Sequence, residues 1–574
     1  MVRRRKWTLG LGVIAVFAVV ASLTTAGAVA QKQALPRNAT VYVSGSAWGP
    51  YTSFNPLRQG YATGTLGLLY ETPFRYDPLK DTYKPWLATS GKWVGRTYVM
   101  NIRPGVKWND GKPLTGADVK FSYETGKLPG SEYSTMWKTG LSNILVKGNQ
   151  VSFVFSGKPN YLDWNTVNYT LPIVPKHIWS SYSPTEITTG NTDDTSKMVG
   201  TGPFTYGGGK GGSVTLQWNR RSNWWATKVF GMKMPMQYLV DIHNSQNTAS
   251  LQNFLKNDID LSNNFFPGVD KVIGGKVQTY YPKAPYMLSA NTAWLVPNTT
   301  HAPLNDVNFR RALAESINID QIVSADYGNI VAKADPTGLL PTWSKWIDKA
   351  QSSKLGFKYN IAAAKSLLAA NGYKDTNGDG YVENKAGQTI NLSLIVPNGW
   401  SDWMTAIQII AASAKDAGIK ITPSYPDYNG LVDTRNSGKF DLVINNDKQL
   451  GPTPYTYYDY LFHLPIADSQ TFANYARFTQ AGAKPWAETL ALNKVNPANV
   501  AAAKVLHSKI QKFILEDLPA IPLWYNGAWA QYNTTYWKNF PKSTGAGLQN
   551  MPVTWNGYLN MTGIDALANL KPAK

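Results

Sequence analysis

The chain has 574 residues and a formal net charge of +20, with 43% hydrophobic and 16% charged residues. This length exceeds one ordinary core, so we expect a globular protein of two or more domains. The basic residues are scattered, which argues against a nucleic-acid partner. The lack of cysteine excludes disulfides and thiol chemistry and leaves no cysteine for an N-terminal lipid anchor.

The first thirty residues are typical of a secretory signal. Arg3, Arg4, Arg5 and Lys6 precede an apolar run from Leu9 to Leu23, and Ala28-Val29-Ala30 matches a cleavage site. The run of about 15 residues is shorter than the roughly 20 needed to span a bilayer, so cleavage is favoured over an uncleaved anchor. We predict a signal peptide at 1–30. Loss of its four cations from +20 leaves +16, and such a secreted protein would be attracted to an anionic cell surface.

Strand and helix patterns alternate in the first half of the chain. Residues 38–47, 98–102 and 150–157 alternate in polarity and predict strands. Thr115 is a favourable N-cap for a helix over 117–124. No repeat of 20–50 residues is found, so a solenoid is not expected.

Strand and helix patterns also alternate in the second half of the chain. Phe309, Leu313 and Ile317 have helical spacing and predict a helix within 304–328. The other predicted elements are a helix over 360–373, a strand within 388–399, a helix and then a strand within 405–425, a buried strand over 439–446, and a long helix followed by a strand within 499–526. Helices that alternate with strands predict α/β domains.

Aromatic residues are unusually abundant, with 21 Trp and 32 Tyr. Many of them, including Trp294 and Trp400, lie in segments rich in Asn and Gly. Flat aromatic faces beside amides match the apolar faces and hydroxyl rim of a sugar ring. Packing of an irregular core is the alternative, and it is favoured for Trp524, Trp529 and Trp537, which alternate in a strand-like run.

No catalytic motif is recognised. The chain has no nucleophile elbow, P-loop or zinc-protease helix, and its five histidines lack metal-ligand spacing. Two distant carboxylates could still form a glycosidase pair. We therefore expect a protein that is not an enzyme, and a secreted glycoside hydrolase remains an alternative.

Residues 374–384 begin like an EF-hand calcium loop. Position 12, which needs a bidentate Glu, is Ala386 instead. A predicted helix precedes the loop and a predicted strand follows it, so a helix-to-strand turn held by Asp and Asn is the main interpretation. Structural calcium is the alternative. Its candidate ligands are Asp375, Asn377, Asp379 and Glu383.

Residues 97–124, TYVMNIRPGVKWNDGKPLTGADVKFSYE, resemble the signature of the family 5 extracellular solute-binding proteins of ABC importers. Further segments match landmarks of this family in the same order: 171–179, 198–204, 254–262, 304–323, 362–396, 439–446 and 519–526. The resemblance therefore extends over nearly the whole mature chain.

The resemblance implies an α/β, two-lobed periplasmic-binding-protein-like fold of type II, cluster C, with an extra subdomain inserted in the first lobe. The implied domains are a signal peptide (1–30), lobe I (31–75 and 200–288), an inserted subdomain (76–199), lobe II (289–528) and a C-terminal return to lobe I (529–574). Two such lobes close over one ligand and present it to a membrane permease.

The ligand is expected to be a neutral sugar. Peptide-binding members of the family follow the Phe-Asp-Leu strand with an acidic segment, but here Asn445 and Asn446 take that region and only Asp447 is nearby. A buried amine needs a charged partner, whereas amides suit hydroxyls. Residues 334–346 resemble the branch that binds β-linked, cellobiose-like oligosaccharides. A peptide or nickel binder of the same fold is the alternative.

The predicted ligand contacts are loop residues at strand ends that face the cleft, with Trp for stacking and Asn for hydroxyls. They are Trp48, Tyr51, Asn291, Trp294, Trp400, Trp403, Asn445, Asn446, Tyr525 and Asn526. The expected partners are an oligosaccharide and the importer permease, the expected state is a monomer, and the only expected cofactor is the structural calcium named above.

Overall fold

The structure is a computed structural model. It describes residues 35–45, 53–58, 61–190, 192, 194–209, 215–243, 246–471, 473–544 and 563–573. The predicted signal peptide and the predicted contacts Trp48 and Tyr51 lie outside these residues. A compact unit extends from Arg37 to Lys574, and the description below concerns this unit.

The strands follow one another along the whole unit. In chain order they are β1 (Thr40–Ser44), β2 (Phe74–Asp77), β3 (Thr82–Pro85), β4 (Ala88–Val94), β5 (Thr97–Ile102), β6 (Leu141–Lys147), β7 (Gln150–Phe155), β8 (Phe204–Gly208), β9 (Thr215–Arg220), β10 (Tyr238–Ile242), β11 (Leu261–Ser262), β12 (Val277–Thr279), β13 (Leu288–Pro297), β14 (Ala332–Lys333), β15 (Leu392–Ile395), β16 (Ile421–Ser424), β17 (Leu442–Asn445), β18 (Ile521–Ala528), β19 (Gln531–Asn533), β20 (Trp537–Lys538) and β21 (Lys571–Pro572).

The α-helices lie between these strands. In chain order they are α1 (Gly116–Glu124), α2 (Ser134–Lys138), α3 (Tyr161–Thr170), α4 (Lys176–Trp179), α5 (Pro184–Thr188), α6 (Trp225–Phe230), α7 (Asn247–Leu255), α8 (Val307–Ser316), α9 (Ile319–Gln321), α10 (Lys349–Leu355), α11 (Ile361–Ala370), α12 (Ser401–Asp416), α13 (Tyr428–Ser437), α14 (Tyr455–Phe462), α15 (Lys484–Asn493), α16 (Val500–Asp517) and α17 (Gly563–Asn569).

Three sheets organise the unit. The first sheet has the strand order β12-β19-β11-β1-β10-β9-β8, the second sheet has β14-β18-β13-β17-β15-β16, and the third sheet has β4-β5-β7-β6. Parallel pairs occur at β1–β10, β1–β11, β15–β16 and β15–β17. The third sheet is antiparallel throughout. Mixed sheets with helices between their strands confirm the α/β class.

The chain crosses between the first and second sheets twice, at neighbouring positions. It leaves the first sheet after β12 and enters the second at β13, and it returns from β18 to β19. β12 pairs with β19, and β13 pairs with β18 from Leu288↔Ala528 to Leu295↔Ile521. The two crossings therefore run side by side. The domain limits expected from the sequence stay predictions.

Most predicted elements are found near their predicted positions. The Asp118 carboxylate accepts hydrogen bonds from the backbone N–H and the hydroxyl of the N-cap residue Thr115, both at 2.8 Å. The single helix expected within 304–328 is divided: α8 ends at Ser316, and Asn318 caps a new helical segment that starts at Ile319. Among the described residues, no helix has the length and apolarity needed to cross a membrane.

A buried carboxylate links the segment after β9 of the first sheet to the segment before β4 of the third sheet. Glu71 has no exposed surface, and its oxygens accept hydrogen bonds from the indole N–H groups of Trp86 at 3.0 Å, Trp224 at 3.3 Å and Trp225 at 2.8 Å. Burial raises the pKa of Glu71, and the three indole donors oppose that rise. The hydrogen bonds of this one side chain thus hold together three chain segments: that of Glu71 itself, that of Trp86 and that of Trp224 and Trp225.

We predict that Glu71→Gln lowers the free energy of unfolding by about 1–3 kcal/mol, because the amide NH₂ cannot accept and leaves an indole N–H unsatisfied. Denaturant unfolding measures this change. Glu516→Gln on the exposed face of α16 is the control and should stay within about 0.5 kcal/mol of the parent. Equal stability of both variants would contradict the structural role of Glu71.

Candidate ligand-binding site

A cavity of about 310 Å³ lies between the first and second sheets, beside the two chain crossings. Asn247 at the start of α7, with Asn263 and Phe265 after β11, forms the wall on the side of the first sheet. The opposite wall comes from the second sheet and its helices, and Trp529 follows β18 at the crossing. The lining residues on this side and at the crossing are Pro397, Trp400, Asp402, Trp403, Tyr428, Leu431, Arg435, Ile444, Asn445, Asn446, Asp447, Gln449, Asn526 and Trp529.

Aromatic rings form one part of this wall. Trp400 is the N-cap residue of α12 and lies edge-on to Trp403, with ring centroids 4.9 Å apart. Its ring stacks on that of Tyr428 from α13 at 5.9 Å and 26°. Trp403 is buried in the core behind it, whereas Trp400 is half-buried. Trp400 therefore supplies an aromatic surface that a ligand can contact.

Amide side chains form a second part of the wall, at the carboxyl end of β17. Asn446 donates through Nδ2 to Asn291 Oδ1 at 3.1 Å, and Asn291 donates to Gln449 Oε1 at 2.8 Å. Gln449 closes the ring by donating to the backbone carbonyl of Asn446 at 3.0 Å. The Oδ1 atom of Asn445 accepts from the Tyr460 hydroxyl at 2.7 Å. The amides are thus held in fixed orientations.

Two further amides retain an unused acceptor. The Oδ1 atoms of Asn247 and Asn526 are buried and have no hydrogen-bond partner among the described residues. Nδ2 of Asn247 reaches across the cavity to Asp402 Oδ1 at 3.1 Å, so the two walls are directly bonded. A buried acceptor without a donor is costly. Both amide oxygens therefore favour a ligand that brings hydroxyl or N–H donors.

The charges of the cavity wall are largely compensated within the wall. Arg435 Nη1 lies 3.0 Å from Asp447 Oδ2, and that oxygen also accepts from the Tyr475 hydroxyl at 2.8 Å. The Arg435 guanidinium lies over the Tyr475 ring at 4.2 Å. Asp447 and the tyrosines beside it raise the pKa of Arg435 against the effect of its burial. Asp447 is therefore engaged by this chain's own arginine.

Asp402 is the remaining charged residue of the lining and is almost fully buried. It accepts from Asn247 Nδ2 and, at 3.2 Å, from the Tyr327 hydroxyl. Burial raises the pKa of Asp402 to about 6. Burial, with the nearby Asp402 charge, raises the pKa of Asp326 to about 9, and Asp326 Oδ2 has no partner among the described residues. The two carboxyl groups thus carry at least one proton near neutral pH.

Five of the ten predicted contacts line this cavity: Trp400, Trp403, Asn445, Asn446 and Asn526. Asn291 is fully buried and orients Asn446 from behind, so its role is indirect. The two contacts that the structure does not describe, Trp48 and Tyr51, stay predictions.

Trp294 and Tyr525 are corrected to core residues. Trp294 is 1% exposed and packs edge-on to Tyr457. It also lies so close to Gly338, where φ is +71°, that a β-carbon there would overlap its ring. The Tyr525 hydroxyl donates to the Leu339 carbonyl at 2.8 Å and accepts from the Asp335 N–H. Tyr525 and Asn526 are neighbours in β18, and side chains alternate across a strand, so only Asn526 faces the cavity.

Several lining residues were not predicted. Trp529 was assigned to the core, and it is indeed buried there at 4% exposure, but it also lines the cavity just after β18 ends at Ala528. Asp427, an N-cap residue before Tyr428, was the available signal for the helix that carries Tyr428 and Arg435. Asn247 has no sequence signal, since it comes from the opposite wall.

The calcium-like loop lies between α11 and β15, as expected for a helix-to-strand connection, and none of its four candidate ligands lines the cavity. Carboxylate oxygens of Asp375, Asp379 and Glu383 lie within 4.8 Å of one another. Each of them also accepts hydrogen bonds from the loop: Glu383 from Thr376 and Asn377, and Asp375 from the N–H groups of Gly378 and Gly380. These bonds form the turn from protein atoms, and calcium here stays a prediction.

Comparison with known proteins gives consistent matches. Residues 82–468 match the model of the bacterial extracellular solute-binding proteins, family 5. The oligopeptide-binding protein AppA of Bacillus subtilis is 27% identical over 459 residues, which cover 77% of this chain and 80% of AppA. A probable ABC transporter-binding protein of Deinococcus radiodurans is 26% identical over 64% of this chain and 66% of its own length.

A solved structure matches more completely. It is the periplasmic oligopeptide-binding protein of an oligopeptide ABC transporter from Thermotoga maritima, crystallised with mannohexaose bound. The two chains are 36% identical and superpose with a TM-score of 0.88 over 94% of this chain and 99% of the other. The order of the three sheets found here is therefore shared with an experimentally determined fold.

We predict that the stability gain of Asp326→Asn over the parent grows from pH 6.5 to pH 8, by up to about 1.4 kcal/mol per pH unit. The folded pKa of Asp326 is raised to about 9, above the value of about 3.9 in an unfolded chain. The parent therefore loses stability as pH rises through this window, and the variant lacks that loss.

Thermal or denaturant unfolding at several pH values measures the difference. Asp320→Asn removes an exposed carboxylate of α9 and should show no such pH trend. If the unfolding free energies of Asp326→Asn and the parent differed by the same amount at all pH values, the raised pKa of Asp326 would be contradicted.

Proposed function

The chain belongs to family 5 of the bacterial extracellular solute-binding proteins, and we propose that it captures a neutral oligosaccharide for an ABC importer. The ligand is held in the cavity between the two sheets and is presented to the membrane permease. Export by the predicted signal peptide and work as a monomer outside the cytoplasmic membrane are parts of this proposal.

The observation that carries the proposal is the engagement of Asp447 by Arg435 and Tyr475. A peptide brings a charged amino terminus, which needs an available carboxylate when it is buried. Both the arginine and the hydroxyl already bind the same oxygen of Asp447. Asp447 is therefore already engaged within the wall and is a poor partner for a peptide amino terminus.

The neutral groups of the wall match a saccharide. Asn247 and Asn526 each carry an unused amide oxygen that can accept from a sugar hydroxyl. The Trp400 and Tyr428 rings offer flat apolar faces to the C–H face of a pyranose ring. The Thermotoga maritima relative was crystallised with mannohexaose, which supports a saccharide of several rings for this chain also. A β-linked, cellobiose-like ligand is our specific proposal.

A peptide ligand is the second candidate. Bacillus subtilis AppA bears the name oligopeptide-binding protein, and within the described part of the chain the lining carboxylate of Asp402 forms no ion pair with a basic side chain. Its raised pKa of about 6 reduces its value as a partner for an amine. An enzyme is not proposed, because the family and the relatives named above are solute-binding proteins.

Isothermal titration calorimetry with cello-, laminari-, manno- and xylo-oligosaccharides and a panel of short peptides tests the ligand class. We expect tight binding of at least one oligosaccharide, no binding of peptides and no release of sugar products. In a thermal-shift screen, a ligand at 100 times its Kd should add about 2.7 kcal/mol of stability. Peptide binding without saccharide binding would overturn the proposal.

We predict that Trp400→Ala weakens oligosaccharide binding at least tenfold, or about 1.4 kcal/mol, because the stacking face is lost. Calorimetry measures the Kd of the parent and the variant. Trp137→Ala is a matched control, since Trp137 is also half-buried but lies in α2, outside the cavity lining. The control should bind like the parent. Unchanged affinity of Trp400→Ala would exclude this stacking face.

A further inference from the structure

We propose that a second cavity, between the domain of the third sheet and the domain of the second sheet, is a saccharide subsite for an uncharged, hydroxyl-bearing ring. This inference rests on the proposed function and extends it to ligand length. The cavity has a volume of about 280 Å³. It shares no lining residue with the first cavity.

The two walls of the second cavity belong to different domains. Asp81, Tyr83, Leu162, Asn165 and Thr166 lie on β3, on α3 and in the turn before β3. The facing wall belongs to the second-sheet domain, from the start of α14, the α15–α16 hairpin and the short helix before α10. Its residues are Lys345, Trp346, Pro452, Thr453, Tyr455, Thr456, Leu492, Val495, Pro497, Val500, Ala503 and His507.

A buried contact sets the spacing of these walls. Asn493, fully buried at the end of α15, accepts through Oδ1 from the backbone N–H groups of Leu162 and Asp163, both at 3.1 Å. Its Nδ2 donates to Asp163 Oδ2 at 2.6 Å and to the Tyr455 hydroxyl at 2.9 Å. At the rim, Lys345 and Asp81 form an ion pair of 2.6 Å across the same seam. These contacts hold the two walls of the second cavity at a defined distance from each other.

The polar groups of the lining match hydroxyls. Three of its side chains carry a buried polar atom that has no hydrogen-bond partner in the part of the chain that is described: Tyr83 Oη, Trp346 Nε1 and Thr456 Oγ1. Two are hydroxyls, which donate and accept, and the third is a donor only. A sugar hydroxyl also donates and accepts, so one kind of ligand group can satisfy all three.

The apolar side of the lining matches a ring face. Leu492, Val495, Pro497, Val500 and Ala503 form a continuous aliphatic wall at the α15–α16 hairpin. An aliphatic surface opposite hydrogen-bonding groups is complementary to a pyranose ring, which has apolar C–H faces and a polar rim. A free phosphate or another ion would gain nothing from such a wall.

The charge balance of the second cavity also favours a neutral ligand. Lys345 and Asp81 neutralise each other at the rim. His507 is buried, its Nδ1 is 2.9 Å from the Tyr458 hydroxyl, and burial lowers the pKa of its imidazole to about 3. The imidazole is therefore uncharged at neutral pH. No net charge is left for an ionic ligand to pair with in this lining.

The two cavities are close along the chain. Gln449 lines the first cavity and Pro452 lines the second, and three peptide units separate their Cα atoms by at most about 11 Å. This short separation is the basis for proposing that the outer rings of an oligosaccharide held in the first cavity occupy the second. A separate short saccharide would present the same chemistry.

The test is a length series of one β-linked oligosaccharide, with two, four and six rings, titrated into the full-length parent and a double variant that combines Tyr83→Phe with Thr456→Val. Tyr83→Phe and Thr456→Val each remove one hydroxyl with little change of shape. We expect the double variant to bind the six-ring ligand at least fivefold more weakly and the two-ring ligand with unchanged affinity. Thr422→Val on β16, outside both linings, is the control and should match the parent.

The stoichiometry distinguishes the sources. One six-ring ligand per protein supports outer rings of the same oligosaccharide, and a second equivalent of the two-ring ligand, lost in the double variant, supports a separate saccharide. Equal affinities of parent and double variant for every length would overturn the subsite and leave the proposed function intact. If the double variant bound ligands of every length more weakly by the same factor, the subsite would also be overturned and the proposed function would stand. A parent that binds no saccharide would overturn both.

Discussion

The pairing of β13 with β18 determines where this protein can bind a ligand. These strands carry the chain into and out of the second sheet, and they continue the pairing of β12 with β19 in the first sheet. Because both crossings run side by side at one edge, the two sheets face each other across a space beside them. Asn526 and Trp529 lie at this crossing, and both line the cavity. The position of this cavity is therefore a consequence of the topology.

Ion pairs within the protein determine which chemical groups the two cavities offer to a ligand. Arg435 holds Asp447 inside the wall, and Lys345 holds Asp81 at the rim of the second cavity. Asp402 is buried beside Asp326, and desolvation together with the Asp402 charge favours the protonated form of Asp326. What remains for a ligand is a set of amides, hydroxyls and aromatic faces. Such a surface gains most from a solute that is uncharged and rich in hydroxyls.

Local patterns predicted much of the architecture and about half of the site. Caps and alternation located α1, α11, β15 and β18 to within a few residues, since those signals depend on neighbours in the chain. The same reasoning placed Trp400, Asn445 and Asn526 at strand ends facing a cleft. It was wrong for Trp294 and Tyr525, which occupy the same kinds of segment but pack inward.

The sequence by itself determined the α/β class, the family and the shift from acidic residues to amides after β17, because these are properties of local order and residue type. Only the tertiary structure decided which aromatic residues face the ligand. Trp294 is enclosed by Gly338 and Tyr457, whereas Trp529 is buried in the core and also lines the cavity, one residue after the end of β18. It also brought Asn247 to Asp402 across 155 residues. The direction in which a side chain points depends on the residues that pack against it, and these residues are distant in the sequence.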